Sequence, residues 1–168
     1  MHKKQVLSIM LILWFAVQIS FAESITFKST SKSEDGTPLM LTGILTKPEG
    51  TGPFPAIVML HGCSGVQKFT QYESWAKRFA GWGYVAFSVD SFVPRGIKHV
   101  CNNPLSSIIL RARSHDAYDA KAFLSKLPYV DRNRIVVMGW SHGGITVLTI
   151  VENLYEYNSP FKAAIAFS

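Results

Sequence analysis

The stretch Arg134-Ile135-Val136-Val137-Met138-Gly139-Trp140-Ser141-His142-Gly143-Gly144 decides how the chain is read. Arg134 to Met138 is a short apolar run of the kind buried in a sheet, and Gly143 to Leu154 has the length and apolar content of a helix. Between them stands the pattern Gly139-x-Ser141-x-Gly143. A strand that turns into a helix over so few residues forces its central residue into a strained backbone. Glycines two positions to either side remove the side chains that would meet the neighbouring strand and helix. Such a turn sets Ser141 Oγ at a helix N-terminus, where the amides and the helix dipole favour negative charge developing on an attacked acyl oxygen. Ser141 is the candidate nucleophile, with Gly139 and Gly143 as the glycines that permit its turn.

Working outward, Ala56-Ile57-Val58-Met59-Leu60 is apolar without alternation, as in a strand covered on both faces of a parallel sheet. Tyr72 to Gly81 reads as a helix, Tyr84 to Val89 as a second buried strand, Ser106 to Lys126 as a long helix and Ala163 to Phe167 as a last apolar, buried strand. Upstream, Ser24 to Thr30 and Leu39 to Thr46 are strands around a polar turn at Glu34-Asp35-Gly36, and Lys47 to Pro55 is a Pro/Gly-rich connection. Alternation of strand and helix predicts an α/β fold, a mostly parallel sheet with helices on both faces. Ligand sites in that architecture lie beyond the carboxyl ends of the strands, after Leu60, Val89 and Met138.

The loop after Leu60, His61-Gly62-Cys63-Ser64-Gly65, is placed to supply a second donor to an oxyanion. The two backbone N–H groups are then those of Cys63 and His142. His61 reads as a structural histidine that pins its loop by hydrogen bonds. Cys63 has no neighbour that would lower a thiol pKa, and Ser141 already holds the attacking position. His61, Cys63, His99, Cys101, His115 and His142 show no zinc-ligand spacing, and the loop lacks the lysine of a phosphate loop and the third glycine of a dinucleotide fingerprint, so neither metal nor cofactor is expected.

Composition narrows the class further. With 48% hydrophobic and 17% charged residues over 168 positions, the chain can bury a core, which argues against disorder. Met1 to Ala22 has a basic start, an apolar run from Val6 to Ile19 and small residues at Ser20 and Ala22, as in a signal peptide cleaved after Ala22. A span would need about 18 or more apolar residues. Residues 23–168 are then an exported, periplasmic or secreted domain with no stable membrane anchor. The net charge of +6 falls once Lys3 and Lys4 are removed, and the remaining basic residues are scattered, so nucleic acid is not an expected partner. Export permits a disulfide, and Cys63 with Cys101 either form one or remain two buried thiols.

Together, His61-Gly62-Cys63-Ser64-Gly65, Val89-Asp90-Ser91-Phe92-Val93-Pro94-Arg95-Gly96, Val130-Asp131-Arg132-Asn133-Arg134-Ile135 and Gly139-Trp140-Ser141-His142-Gly143-Gly144 resemble the dienelactone hydrolase family of α/β-hydrolases. The resemblance covers nearly all residues after Ala22 and implies hydrolysis of a small-molecule ester or lactone through an acyl-enzyme. The namesake enzymes use cysteine where Ser141 stands here. It also suggests an arginine that holds a substrate carboxylate, for which Arg95 is the candidate, the other reading being a brace for the Pro94-Arg95-Gly96 turn. Asp90 reads as a loop-bracing carboxylate, and Asp116 and Asp119 as solvated residues on a helix face.

In this fold the acid and the histidine of the triad follow the serine. After Gly143 the acids are Glu152 and Glu156, and there is no histidine. His142 points away from Ser141 Oγ by its backbone position, and His99 and His115 precede the turn. Two readings compete: the N-terminal part of a longer hydrolase that is inactive alone, or a non-catalytic binding or structural module. A chain stopping at an apolar strand, and short of the roughly 200 residues such folds need, favours the first. A third reading, a serine peptidase of the prolyl oligopeptidase kind, expects a large propeller that Glu23 to Pro55 cannot supply.

Overall fold

The apolar run ending at Leu60 forms β3 (Phe54–Leu60), in the interior of a sheet that has six strands among the described residues. The computed structural model describes residues 21–33, 36–66, 70–153 and 160–168. Residues 1–20 of the leader expected over Met1 to Ala22, and Glu34 and Asp35 of the expected turn, lie outside them. The other strands are β1 (Phe21–Lys32), β2 (Pro38–Lys47), β4 (Val85–Asp90), β5 (Val130–Trp140) and β6 (Ala164–Phe167), and the helices are α1 (Thr70–Gly81), α2 (Ser107–Leu124) and α3 (His142–Glu152). The spatial order is β1-β2-β4-β3-β5-β6. From β4 to β6 every neighbour is parallel, whereas β1 and β2 join as antiparallel strands, β2 pairing with β4.

β3 is covered on both faces. Ala56, Val58 and Leu60 face a core shared with Phe87, Ala117, Ala120, Leu124, Val147 and Ile150, under α2 and α3. Ile57 and Met59 face the other side, against Tyr72, Ala76 and Phe79 of α1. The period of two in a strand thus feeds two cores, and each side chain of Val or Leu size buried there contributes roughly 1.5–3 kcal/mol. Helix α1 stops where Gly83, at φ 84°, lets Tyr84 N donate to Phe79 O at 2.9 Å and Gly83 N to Ala80 O at 3.0 Å, a Schellman ending that aims the chain into β4.

Three expectations need correction. β3 begins at Phe54, inside the stretch read as an irregular connection, because Phe54 N donates to Tyr129 O at 2.8 Å and extends the pairing past Pro55. β6 forms where expected but is not buried: Ile165 and Phe167 are 39% and 43% exposed, β6 being an edge of the sheet among the described residues. Asp119 is half-exposed but does more than face solvent. Its Oδ2 accepts from Ser29 Oγ and Thr30 N, both at 2.8 Å, and from Thr30 Oγ1 at 3.0 Å, tying α2 to β1. At the start of β1, Phe21 and Ala22 pair with Lys47 and Thr46.

Candidate active site

β5 runs to Trp140 and α3 begins at His142, so Ser141 alone makes the turn. Its φ of 51° and ψ of −119° make it the one non-glycine residue with positive φ among those described, a conformation that costs on the order of 1–3 kcal/mol. Its surroundings hold it there. Ser141 N donates to Phe167 O at 2.8 Å, and Ile145 N donates to Ser141 O at 3.0 Å. A serine at a helix N-cap usually turns its hydroxyl back onto the first-turn amides; Ser141 makes no such bond.

The flanking glycines are required by close backbone approach. A Cβ on Gly139 would overlap the Gly143 carbonyl, and one on Gly143 would overlap the Leu60 carbonyl and lie 2.8 Å from His61 O. The elbow is therefore pressed directly onto the end of β3. A Cβ on Gly62 would in turn lie 3.7 Å from Ser141 Cβ, which sets the His61–Cys63 loop beside the serine. His142 N–H is the first amide of α3 and has no acceptor within the helix.

That loop is held from several sides. Gly62 N donates to Tyr72 Oη at 2.7 Å. His61 is buried, its Nδ1 is 2.8 Å from Gly62 O, and its Nε2 accepts from Ser91 N at 3.3 Å, which places the ring proton on Nδ1. Burial holds its pKa well below the usual histidine value, with the nearby Arg113 acting in the same direction. His61 is thus the structural histidine that was expected. Cys63 is joined to Cys101 by a disulfide with the Cα atoms 4.9 Å apart, and Val100 N donates to Cys63 O at 2.9 Å, strapping the loop to the segment after β4. Asp90 Oδ1 accepts from Phe92 N at 2.9 Å and Val93 N at 3.1 Å, bracing the start of that segment as predicted.

Arg95 lies in a 3-10 turn, Val93–Arg95. Its NH1 donates to Asp116 Oδ2 and its NH2 to Asp116 Oδ1, both at 2.7 Å, and NH1 also donates to Ser91 O at 2.8 Å. The carboxylate this guanidinium grips is the protein's own, so the reading as a clamp for a substrate carboxylate gives way to the bracing one. Asp116 is not solvated: its side chain is fully buried. Burial raises its pKa, and the Arg95 fork pulls the other way.

Sequence reasoning missed Arg113. This arginine of α2 is 1% exposed and stands between the two halves of the site. Its NH2 donates to His61 O at 2.6 Å, its NH1 bonds His142 Nδ1, and its Cζ sits 5.1 Å from the Phe92 ring centre. Burial lowers its pKa to about 10, which still leaves it charged at neutral pH. Burial and the Arg113 charge lower His142 to about 4, against the pull of the Pro104 carbonyl. A signal was present: Leu110, Arg113, Ala117, Ala120 and Leu124 recur at helical spacing, so the arginine stands on an apolar stripe and must have buried partners.

A hydroxyl on such a turn, beside the His61–Cys63 loop and the first amide of α3, has a placement suited to attack on a carbonyl. The hydroxyl proton needs an acceptor. His142 Nδ1 is engaged by Arg113 and His61 Nε2 by Ser91 N, so neither ring offers its lone pair. Glu152 ends α3 exposed, and Glu156 lies outside the described residues. Among the described residues, no group of three His, Cys, Asp or Glu side chains could hold a metal ion.

A mixed sheet with a parallel centre, a serine at the turn between strand and helix, and a second amide-bearing loop at the adjacent strand end define an α/β-hydrolase. The chain belongs to the dienelactone hydrolase family, whose profile matches residues 41–167. It is 30% identical over 109 residues to a probable dipeptidyl-aminopeptidase B of Grosmannia clavigera, covering 59% of this chain and 10% of that protein. It is 28% identical over 119 residues to the quorum-quenching protein AidA of Acinetobacter baumannii, covering 71% of this chain and 38% of the other. Among solved structures, the esterase Est22 shares the fold at a TM-score of 0.65 and 20% identity, over 86% of this chain and 42% of that one. The chain thus spans about a tenth of the curated peptidase and about two-fifths of the esterase.

Proposed function

We propose that the protein is an exported serine hydrolase of small-molecule carboxylic esters or lactones. Ser141 is the nucleophile, and the backbone N–H groups of Cys63 and His142 hold the oxyanion. The observation that carries this reading is the positive φ of Ser141, held on a one-residue turn against the His61–Cys63 loop. A side chain kept in a strained conformation by its surroundings is the mark of a functional position. A cleft of about 390 Å³ next to that loop, lined by Ser64, Val66, Phe92, Val93, Ile97 and Lys98, is the candidate seat for the acyl group. The disulfide suits an oxidising compartment, in keeping with a leader cleaved after Ala22.

With no histidine after His142 and the rings of His61 and His142 both engaged, no free imidazole stands beside Ser141 among the described residues, and the 168-residue chain by itself is expected to turn over no ester. Steady hydrolysis of a p-nitrophenyl acyl ester is therefore expected from an extended chain that supplies an acid and a histidine after Ser141, and lost in its Ser141→Ala variant. Turnover by the 168-residue chain that Ser141→Ala abolishes refutes the missing-base part. Turnover that survives the substitution refutes the nucleophile.

The dipeptidyl-aminopeptidase match supports a second reading, a serine peptidase with the same nucleophile. Faster cleavage of a dipeptidyl p-nitroanilide than of the p-nitrophenyl ester by the extended chain selects it.

A further inference from the structure

We infer that Arg113 is a positioning residue for the oxyanion site: one buried guanidinium bridges the His61–Cys63 loop and the Ser141 elbow, setting their spacing and fixing His142 as the neutral Nε2–H tautomer. This rests on the reading that the amides of Cys63 and His142 act together on an oxyanion. A guanidinium is planar and presents its N–H groups as a rigid fork with no acceptor. Its two terminal nitrogens go to two different segments, NH2 to the carbonyl of His61 at 2.6 Å and NH1 to the ring of His142. His61 is two residues before Cys63, and His142 carries the second amide itself, so the fork spans the pair of donors with a fixed separation.

Because Arg113 can only donate, His142 Nδ1 must accept, and the ring proton resides on Nε2. Phe92 completes the seat. Its ring lies under the Arg113 guanidinium and meets the rings of His61 and His142 edge-on, with centroids 4.5 and 6.3 Å away. The nearby carboxylates do not replace this role: Asp116 is gripped by Arg95, and Asp90 braces the amides of Phe92 and Val93. The arginine therefore spends its terminal donors on the two halves of the site rather than on an ion pair, an arrangement that core packing alone does not require.

The test is nuclear magnetic resonance of the 168-residue chain with ¹⁵N-labelled histidine at neutral pH, which needs no turnover and so stands or falls separately from the role of Ser141. In the wild type, His142 is expected to show a protonated Nε2 and an accepting Nδ1; a protonated Nδ1 overturns the inference before any variant is made. Arg113→Met removes the donors at similar volume. It is expected to leave the ring a mixture of tautomers and to speed exchange of the hydrogen-bonded Gly62 and Ile145 amides, one in each segment the fork joins, roughly tenfold relative to Ala76 in α1. Arg113→Lys keeps the charge but offers one point donor and is expected to fall between. Tautomer and exchange unchanged in Arg113→Met overturn the bridging role. Should that variant not fold, Arg113→Lys decides by the same readouts, wild-type values again counting against it.

Discussion

Ser141 shows how a single backbone angle separates a functional residue from an ordinary cap. Its φ of 51° is tolerated because Phe167 O and the first helical bond hold the peptide on either side. Removing the hydroxyl in two ways isolates that strain. Ser141→Gly should be more stable than Ser141→Ala by about 1 kcal/mol, since glycine relieves the positive φ at some cost in chain entropy. Paired urea denaturation curves measure the difference, and an alanine variant as stable as the glycine one contradicts it. The buried histidines give a pH dependence. His142, lowered to about 4, and His61, also lowered, stay neutral in the fold but take up protons in the unfolded chain below about 6.5. The contribution of His142 is complete above pH 6.5 and is lost as pH falls towards 4, and that of His61 declines in the same direction, with a slope of up to about 1.4 kcal/mol per pH unit for each ring. A urea midpoint that does not drop between pH 7 and pH 5 refutes this.

At the scale of elements, the loops beyond the strands are held by polar ties that span long stretches of chain. The Cys63–Cys101 disulfide closes a loop of 38 residues, so Cys101→Ser should cost about 3–4 kcal/mol by denaturation of the oxidised protein. Asp116→Asn leaves the Arg95 guanidinium with its partner neutralised in a buried setting and should cost about 3 kcal/mol. A loss under half a kcal/mol, as expected of exposed pairs, means the pair is more solvated than the structure has it. Strands and helices were legible because β3, β4 and α3 carry their burial in runs and periods. The elbow was legible because Gly139 and Gly143 have a steric reason for their spacing. The burial of Asp116 and the ties of half-exposed Asp119 are not legible in the sequence, because a carboxylate on a helix says nothing of the arginine or serine that folding brings to it from 21 or 90 positions away.

For the whole molecule, the antiparallel attachment of β1 and β2 was hidden from local pattern, because which edge a strand joins depends on the completed sheet. Ile165 and Phe167 of β6, and Leu148 and Val151 of α3, are exposed apolar side chains. A second consequence follows from the sharing of β3 between two cores: Val58→Ala should cost about 2–4 kcal/mol and lower the midpoint of a single cooperative transition. The central claim concerns Ser141 within this frame. Its most direct test is peptide mass spectrometry of the extended protein after brief exposure to a slowly deacylating p-nitrophenyl ester. The account predicts the acyl group on the peptide containing Ser141 and none in Ser141→Ala. An acyl group on any other residue, or turnover with Ser141 never acylated, contradicts it.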